Sequence, residues 1–473
     1  MIKRFRLSSF FLLAAFGVFG GEFYVSPTGD NTNPGTLEQP WRTIAFATCG
    51  GTFGCPEATI NPNLLQSGDT LYLRAGTYNE SGIRVANAGS ETQSIRITNY
   101  PGEEAIVDGG FTAPDGLAHQ PVFEIDDTHH LVLEGLTIRR GLRSNIRIGY
   151  DRTATYITIK SCDMSEFVAR DNSANIYING GTDVITLLNN RLYDKNGDDG
   201  NSAGIIMFNA GRLYIANNTI FNTNQGIYYK HSQDNGLASV IENNLIYDQE
   251  TMGLLVSNAE TIIRHNVIFN VGGTGIWIFE ESASCGFLAS HDVSITHNTV
   301  IDPLRGIRLS RSRDCLGAVN TVVRDNLVAG FTNGEMRGLA IWPYHGFPDY
   351  LLPDESETTF DHNLIYGAGF GEPVRIINQY YAVDAAPLTG TGNLQQEPLF
   401  IDRGQGDYRL ADGSPGKNAA SDGLDMGADV NKAGAERQAF WKYWRQPIQL
   451  PFTVDHHRNR LVDVVELAAF VGN

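Results

Sequence analysis

Beyond residue 20 the sequence has no apolar run long enough to cross a bilayer as a helix. The body of the chain therefore carries no transmembrane anchor of that kind. Positive charge is scarce: 35 Lys and Arg stand against 53 Asp and Glu, a formal net charge of −18. That balance argues against a general nucleic-acid binder. It also means that an acidic partner would have to be held by a local basic column or through a cation. Cysteine is sparse too. Cys49, Cys55, Cys162, Cys285 and Cys315 show no zinc-site spacing.

What the chain has in quantity is glycine, 51 residues of it, and two alternating phrases. The first reads NIRIG at Asn145, NIYING at Asn175, GIIMFNA at Gly204, GIYYKHS at Gly226 and GLLVSNA at Gly253. It continues as GIWIFEE at Gly275, GIRLSRS at Gly306 and GLAIWPY at Gly338. The second phrase runs through ITLLNNRLY, LYIANNTIF, SVIENNLIY and TIIRHNVIF to VSITHNTVI, TVVRDNLVA and TTFDHNLIY. Its last Asn falls at 190, 218, 244, 266, 298, 326 and 363. These intervals lie in the range of solenoid repeats.

Both phrases alternate with period two and are rich in Ile, Val, Leu and Tyr, which is strand patterning. Two or three strands per repeat cannot bury an apolar face alone, and stacking the repeats solves this. The pattern predicts an all-β chain folded as a parallel β-helix, right-handed by the usual hand of parallel crossover connections. The repeated Asn are expected to stack as an amide ladder inside one turn.

The pleat then divides the first phrase into two sides. The inward column is Ile146, Ile176, Ile205, Ile227, Leu254, Ile276, Ile307 and Leu339. The outward column beside it is Arg147, Tyr177, Ile206, Tyr228, Leu255, Trp277, Arg308 and Ala340. Two residues further on lie Gly149, Asn179, Phe208, Lys230, Ser257, Phe279, Ser310 and Trp342. So many large aromatics on a water-facing side suggest a binding surface. Tyr177, Phe208, Tyr228, Trp277, Phe279, Arg308 and Trp342 are the expected contacts to a long sugar chain, lining an exposed groove.

Residues 1–20 read as a signal peptide, with Lys3, Arg4 and Arg6 before an apolar stretch and small residues ahead of Gly21. The mature chain is expected to be exported, extracellular or periplasmic. In that setting Cys49 and Cys55 are expected to pair across the loop CGGTFGC, and Cys285 with Cys315 between neighbouring coils. Cys162 is left as a buried thiol.

The stretch FYVSPTGDNTNPGTLEQPWRTIAFA followed by SGDTLYLRAGTY resembles the start of the secreted right-handed parallel β-helix proteins of the pectate-lyase-like superfamily. The resemblance implies a strand, a Gly/Asn/Pro loop, a capping helix near residues 41–48 and the first coil, together spanning residues 21–80. Residues 397–430 are similar to the C-terminal end of many such proteins, so the β-helix is expected over 81–430. Residues 431–473 form an appendage in which GAERQAFWKYW reads as a short helix. There Asp455, His457, Asn459, Asp463 and Glu466 occupy positions 1, 3, 5, 9 and 12 of a calcium loop, similar to half of a dockerin or EF-hand module. Arg460 stands at the glycine position and His457 replaces an oxygen ligand.

The densest polar stretch of the central coils is YDKNGDDGNSAG, which sets Asp194, Asp198 and Asp199 ahead of the strand carrying Phe208. One coil later GIYYKHS presents Lys230 outward with His231 at its edge. Carboxylates suit Ca²⁺, and a positioned base beside a cation is what β-elimination on a uronate needs. The constellation resembles the calcium-dependent β-helical polysaccharide lyases of family nine. The resemblance implies Lys230 as the base and Asp194, Asp198 and Asp199 as Ca²⁺ ligands. Where those lyases tend to have Asp-Gly before the lysine, this chain has Gln225 and Gly226. The Lys230–His231 pair is also similar to the basic-residue–His strand of the alginate and chondroitin lyases, which adds His231 to the catalytic candidates.

Two other functions fit the same residues. One is a non-catalytic carbohydrate-binding or surface-adhesion β-helix. The other is a glycoside hydrolase, which needs two carboxylates across the scissile bond, here among Asp198, Asp199, Glu280 and Glu281. The expected partner is a polysaccharide, with no nucleic acid and no membrane span, and the chain is expected to be a monomer.

Overall fold

The computed structural model describes residues 20–434, except 49–60, 62–63, 86, 113–119, 151, 198–199, 231–237, 280–289, 311–317, 319 and 343–357, together with the backbone of 452–455 and 460–463. The described residues form a right-handed parallel β-helix with three strand ladders. The first is a 12-stranded sheet from Glu22–Val25 to Thr359–Asp361. The other two are joined in a 21-stranded sheet. The second ladder runs from Gly76–Tyr78 through Thr219–Phe221 and Leu245–Gln249 to Leu364–Tyr366. The third passes from Ile83–Val85 through Ser144–Ile148, Ser202–Phe208 and Gln225–Lys230 to Val374–Ile376. Val267–Ile278 and Thr299–Leu309 are long enough to serve both.

The inward column stacks in one unbroken register, Ile146 on Ile176, Ile205, Ile227, Leu254, Ile276, Ile307 and Leu339, and every member is buried. The turn between the first and second ladders holds the Asn ladder. Asn190, Asn218, Asn244, Asn266, Asn298, Asn326 and Asn363 each donate from Nδ2 to the Oδ1 of the next Asn, at 2.9–3.1 Å, ending on Asn393. Each Oδ1 also accepts the backbone N–H of the preceding rung, so the buried amides are satisfied. The residue before each Asn sits in the left-handed region, from Asn189 at φ 57° to His265, His297, Asp325 and His362. Asn, Asp and His are enriched in that region among non-glycine residues, which explains the doublets NN, HN and DN.

Cys162 takes the rung before Asn190, its N–H donating to Asn190 Oδ1 at 3.0 Å. It is a buried free thiol, pushed up to about 12 by burial. Cys49, Cys55, Cys285 and Cys315 lie outside the described residues, as do residues 1–19. No helix among the described residues is long and apolar enough to cross a membrane.

The N-terminal cap is a shorter helix than expected, Ile44–Thr48. The Glu80 carboxylate accepts its first free N–H groups, from Ile44 and Ala45, each at 3.0 Å. Trp41 precedes it, buried and stacked on Phe23 at 5.3 Å. At the other end, residues 397–434 run back along the outside of the second ladder as a strap. Arg403 pairs with Asp302, Tyr408 packs on Phe269, Ser421 bonds Asp325, and Gly434 N–H reaches Asn243 O at 2.8 Å. Further on, Phe452–Asp455 and Arg460–Asp463 pair as an antiparallel hairpin. Alternating FTVD and RLVD favour extended backbone. His457, Asn459 and Glu466 of the calcium-loop pattern, and the segment GAERQAFWKYW, lie outside the described residues.

Candidate functional site

The outward side of the third ladder is one continuous column. Arg84, Glu124, Arg147, Tyr177, Ile206, Tyr228, Leu255, Trp277, Arg308, Ala340 and Arg375 follow one another in register. Beside it Phe208 lies next to Lys230. On an acidic chain this strip carries both cations and aromatic rings, and the two interact. Lys230 Nζ is 4.5 Å from the centre of the Tyr228 ring and 5.9 Å from that of Phe279. The Arg308 guanidinium lies 4.3 Å over Trp277, and that of Arg375 lies 3.6 Å over Trp342. Cation–ring contacts of this kind strengthen when water is excluded.

The expected exposed groove is only partly present. Tyr177, Phe208, Arg308 and Trp342 are half-buried. Tyr228, Lys230, Trp277 and Phe279 are buried, with Lys230 only 7% exposed. The rings fill the surface by packing on one another. Trp277 and Phe279 meet edge to face at 4.7 Å, Phe208 and Tyr228 at 6.1 Å, and Trp277 Nε1 donates to Ser310 Oγ at 2.7 Å. Ile206 and Leu255 complete the layer. A pleat dictates which way a side chain leaves the sheet, and burial is decided by what packs over it.

Towards the N-terminal coils the strip opens. Tyr177 sits 5.9 Å from Phe208 and under the Arg143 guanidinium at 5.5 Å. Burial pushes the Tyr177 hydroxyl up, against the opposing charges of Arg143 and Arg147. Arg147 pairs with Glu124 at 3.0 Å and lies 4.0 Å from the Tyr150 ring. Sequence reasoning missed Arg143, Tyr150 and Arg375. Arg375 continues the register in a phrase without the leading Gly, which could have been found from its V-R-I alternation. Arg143 and Tyr150 lie at the two ends of a strand, where no period points to them.

Of the three proposed Ca²⁺ ligands, Asp194 alone is described. It lies at a left-handed turn (φ 51°), and its carboxylate accepts the Asn222 side-chain amide of the next coil. Among the described residues no three His, Cys, Asp or Glu side chains gather to hold a cation. The described residues therefore do not fit a calcium centre. Asp198, Asp199, His231, Glu280 and Glu281 lie outside them.

Residues 23–227 match the family model described as the Pel9A-like right-handed β-helix region. The chain is 26% identical over 187 residues to the uncharacterized protein YwoF of Bacillus subtilis (strain 168), covering 39% of this chain and 32% of that one. It is 31% identical over 93 residues to pectate lyase PEL9 of Emericella nidulans, covering 20% of this chain and 19% of that one. The matches thus span about a third and a fifth of those relatives' lengths. The crystal structure of pectate lyase Pel9A is similar at a TM-score of 0.44 and 14% identity, covering 86% of this chain and 96% of that one.

Proposed function

On a pectate-lyase-like right-handed parallel β-helix, which is what this chain is, we propose that the outward side of the third ladder acts on an acidic polysaccharide as a lyase. The observation that carries this is the strip of cations seated on aromatic rings, continuous in register, on a chain whose net charge is −18. Aromatic rings take the apolar faces of sugars, and the cations favour carboxylates that the rest of the surface repels. The match of residues 23–227 to a Pel9A-like region supports the lyase class. Lys230 is the residue we assign as base. In its uncharged form it takes the proton from the carbon α to the uronate carboxylate. The electron pair forms the new carbon–carbon double bond, and the glycosidic oxygen leaves with its own pair and is protonated from water. An exported location after loss of residues 1–20 belongs to this proposal.

The burial of Lys230 favours a second reading, in which the strip binds polymer and cleaves nothing. One experiment separates the two. A panel of uronate polysaccharides is incubated with the protein, and the ultraviolet absorbance of unsaturated ends is followed alongside binding. Rising absorbance on one polymer supports the lyase; binding without it supports the second reading; neither overturns both. A chelator arm tests Ca²⁺, and undiminished activity in chelator removes calcium from the reaction.

A further inference from the structure

Tyr150 is the only Phe, Tyr or Trp among the described residues that is exposed, at 49%. It stands on the side of the molecule that carries Lys230. Gly149, at φ 70°, turns the chain at the end of the strand Ser144–Ile148, and the next side chain settles over Arg147. Arg147 is buried and held by Glu124 at 3.0 Å, so the ring rests on a fixed base. From there an unbroken trail leads inward. Tyr177 lies one coil on, then Phe208 at 5.9 Å, Tyr228 at 6.1 Å and Lys230 at 4.5 Å from the Tyr228 ring. Exposure falls along it, from exposed Tyr150 through half-buried Tyr177 and Phe208 to buried Tyr228 and Lys230.

We propose that Tyr150 is a distal sugar-binding platform, taking one pyranose unit of an acidic polysaccharide whose reacting unit lies at Lys230. This rests on the function proposed above. Three coils separate the two residues, and stacked strands are about 4.8 Å apart, so the platform lies about 14 Å away along the helix axis. The coil spacing is close to the length of one sugar unit in an extended chain. A polymer lying along the axis therefore advances about one unit per coil, and only a chain several units long reaches both residues. An aromatic ring already fixed on an arginine gives up little freedom on binding, which is what makes such a ring an effective anchor. Arg143, seated over the Tyr177 ring one coil on, adds a positive charge to the trail and favours a sugar bearing a carboxylate.

The test compares a uronate disaccharide with a long oligomer of the polymer that the wild-type protein binds, by calorimetry and, where cleavage occurs, by KM. Tyr150→Ala is expected to weaken the long oligomer roughly three- to tenfold, with the effect concentrated there and little of it on the disaccharide. Tyr150→Trp restores the affinity. Leu424→Ala, an exposed residue on the strap, serves as control and changes neither. Equal losses on both ligands, or no loss on the long one, overturn the platform while the proposed function stands. A lowered melting temperature with unchanged affinity also overturns it, because Tyr150 would then only cover the Arg147–Glu124 pair. A wild-type protein that binds no uronate of any length overturns the proposed function itself.

Discussion

Two strips of aromatic residues decorate the outside of this β-helix, and they are built differently. On the second ladder Tyr193, Phe221, Tyr247 and Phe269 occupy the same register position in successive coils. Their rings lie 4.9–5.0 Å apart and within 3° of parallel. Stacking of that kind uses both faces of every inner ring, and the ends are closed by Arg191 and Tyr408. Only edges face outward. On the third ladder the aromatics alternate between two columns, with Ile206 and Leu255 between them, so parallel stacking is impossible. The rings tilt at 44–67° and are seated against cations. The same pleat and the same residue types thus yield a structural seam on one side and a candidate binding strip on the other. Register separates them.

The contrast is tested most severely by Lys230→Ala. On the active polymer, turnover should fall roughly 10²–10⁴-fold if Lys230 is the base. A rise in KM with turnover kept would make it a binding contact. Next in size, Trp277→Ala removes a buried ring and should cost about 3 kcal/mol of stability in a denaturant titration, as well as weakening polymer binding. Phe221→Ala, in the half-buried seam, should cost about 2 kcal/mol and leave polymer affinity unchanged. A loss of affinity there would erase the distinction between the two strips.

The smallest effect concerns the turn beneath the strap. Burial, reinforced by the charges of His297 and Arg264, holds His265 down at about 4. A histidine whose folded value is depressed binds fewer protons folded than unfolded. Its contribution is therefore present above the ordinary histidine range and is lost as pH falls from about 6.5 towards 4. Asn occupies the equivalent position at 217 and 243, so His265→Asn keeps the left-handed turn. It should flatten the acid side of the melting-temperature profile by about 1 kcal/mol, given the partial exposure. An unchanged slope would show that His265 does not titrate in that window.

How much of this was legible depends on the periodicity each feature obeys. The coil stack was readable because Ile146 to Leu339 and Asn190 to Asn363 recur at the same place in every turn. The seam has a period too, since the second phrase ends in Tyr, Phe, Tyr and Phe in four successive coils. The orientation of Lys230 was legible from alternation. Its burial was not, because alternation says nothing of the layer above. Arg143 and Tyr150 come from strand ends, where no period operates. In the appendage, FTVD and RLVD carry the alternation of strands, and the two segments pair as a hairpin.

The strap has a consequence for how the molecule comes apart. A solenoid whose coils touch only their neighbours can fray one turn at a time from an open end. Here residues 96, 101 and 129 positions apart are tied across several coils, Ser421 to Asp325, Arg403 to Asp302 and Ala428 to Thr299. Those coils cannot peel away singly without first shedding the strap. The stack from Asn243 to Asp325 should therefore melt as a block, while the first coils, which the strap does not reach, are left to unravel on their own.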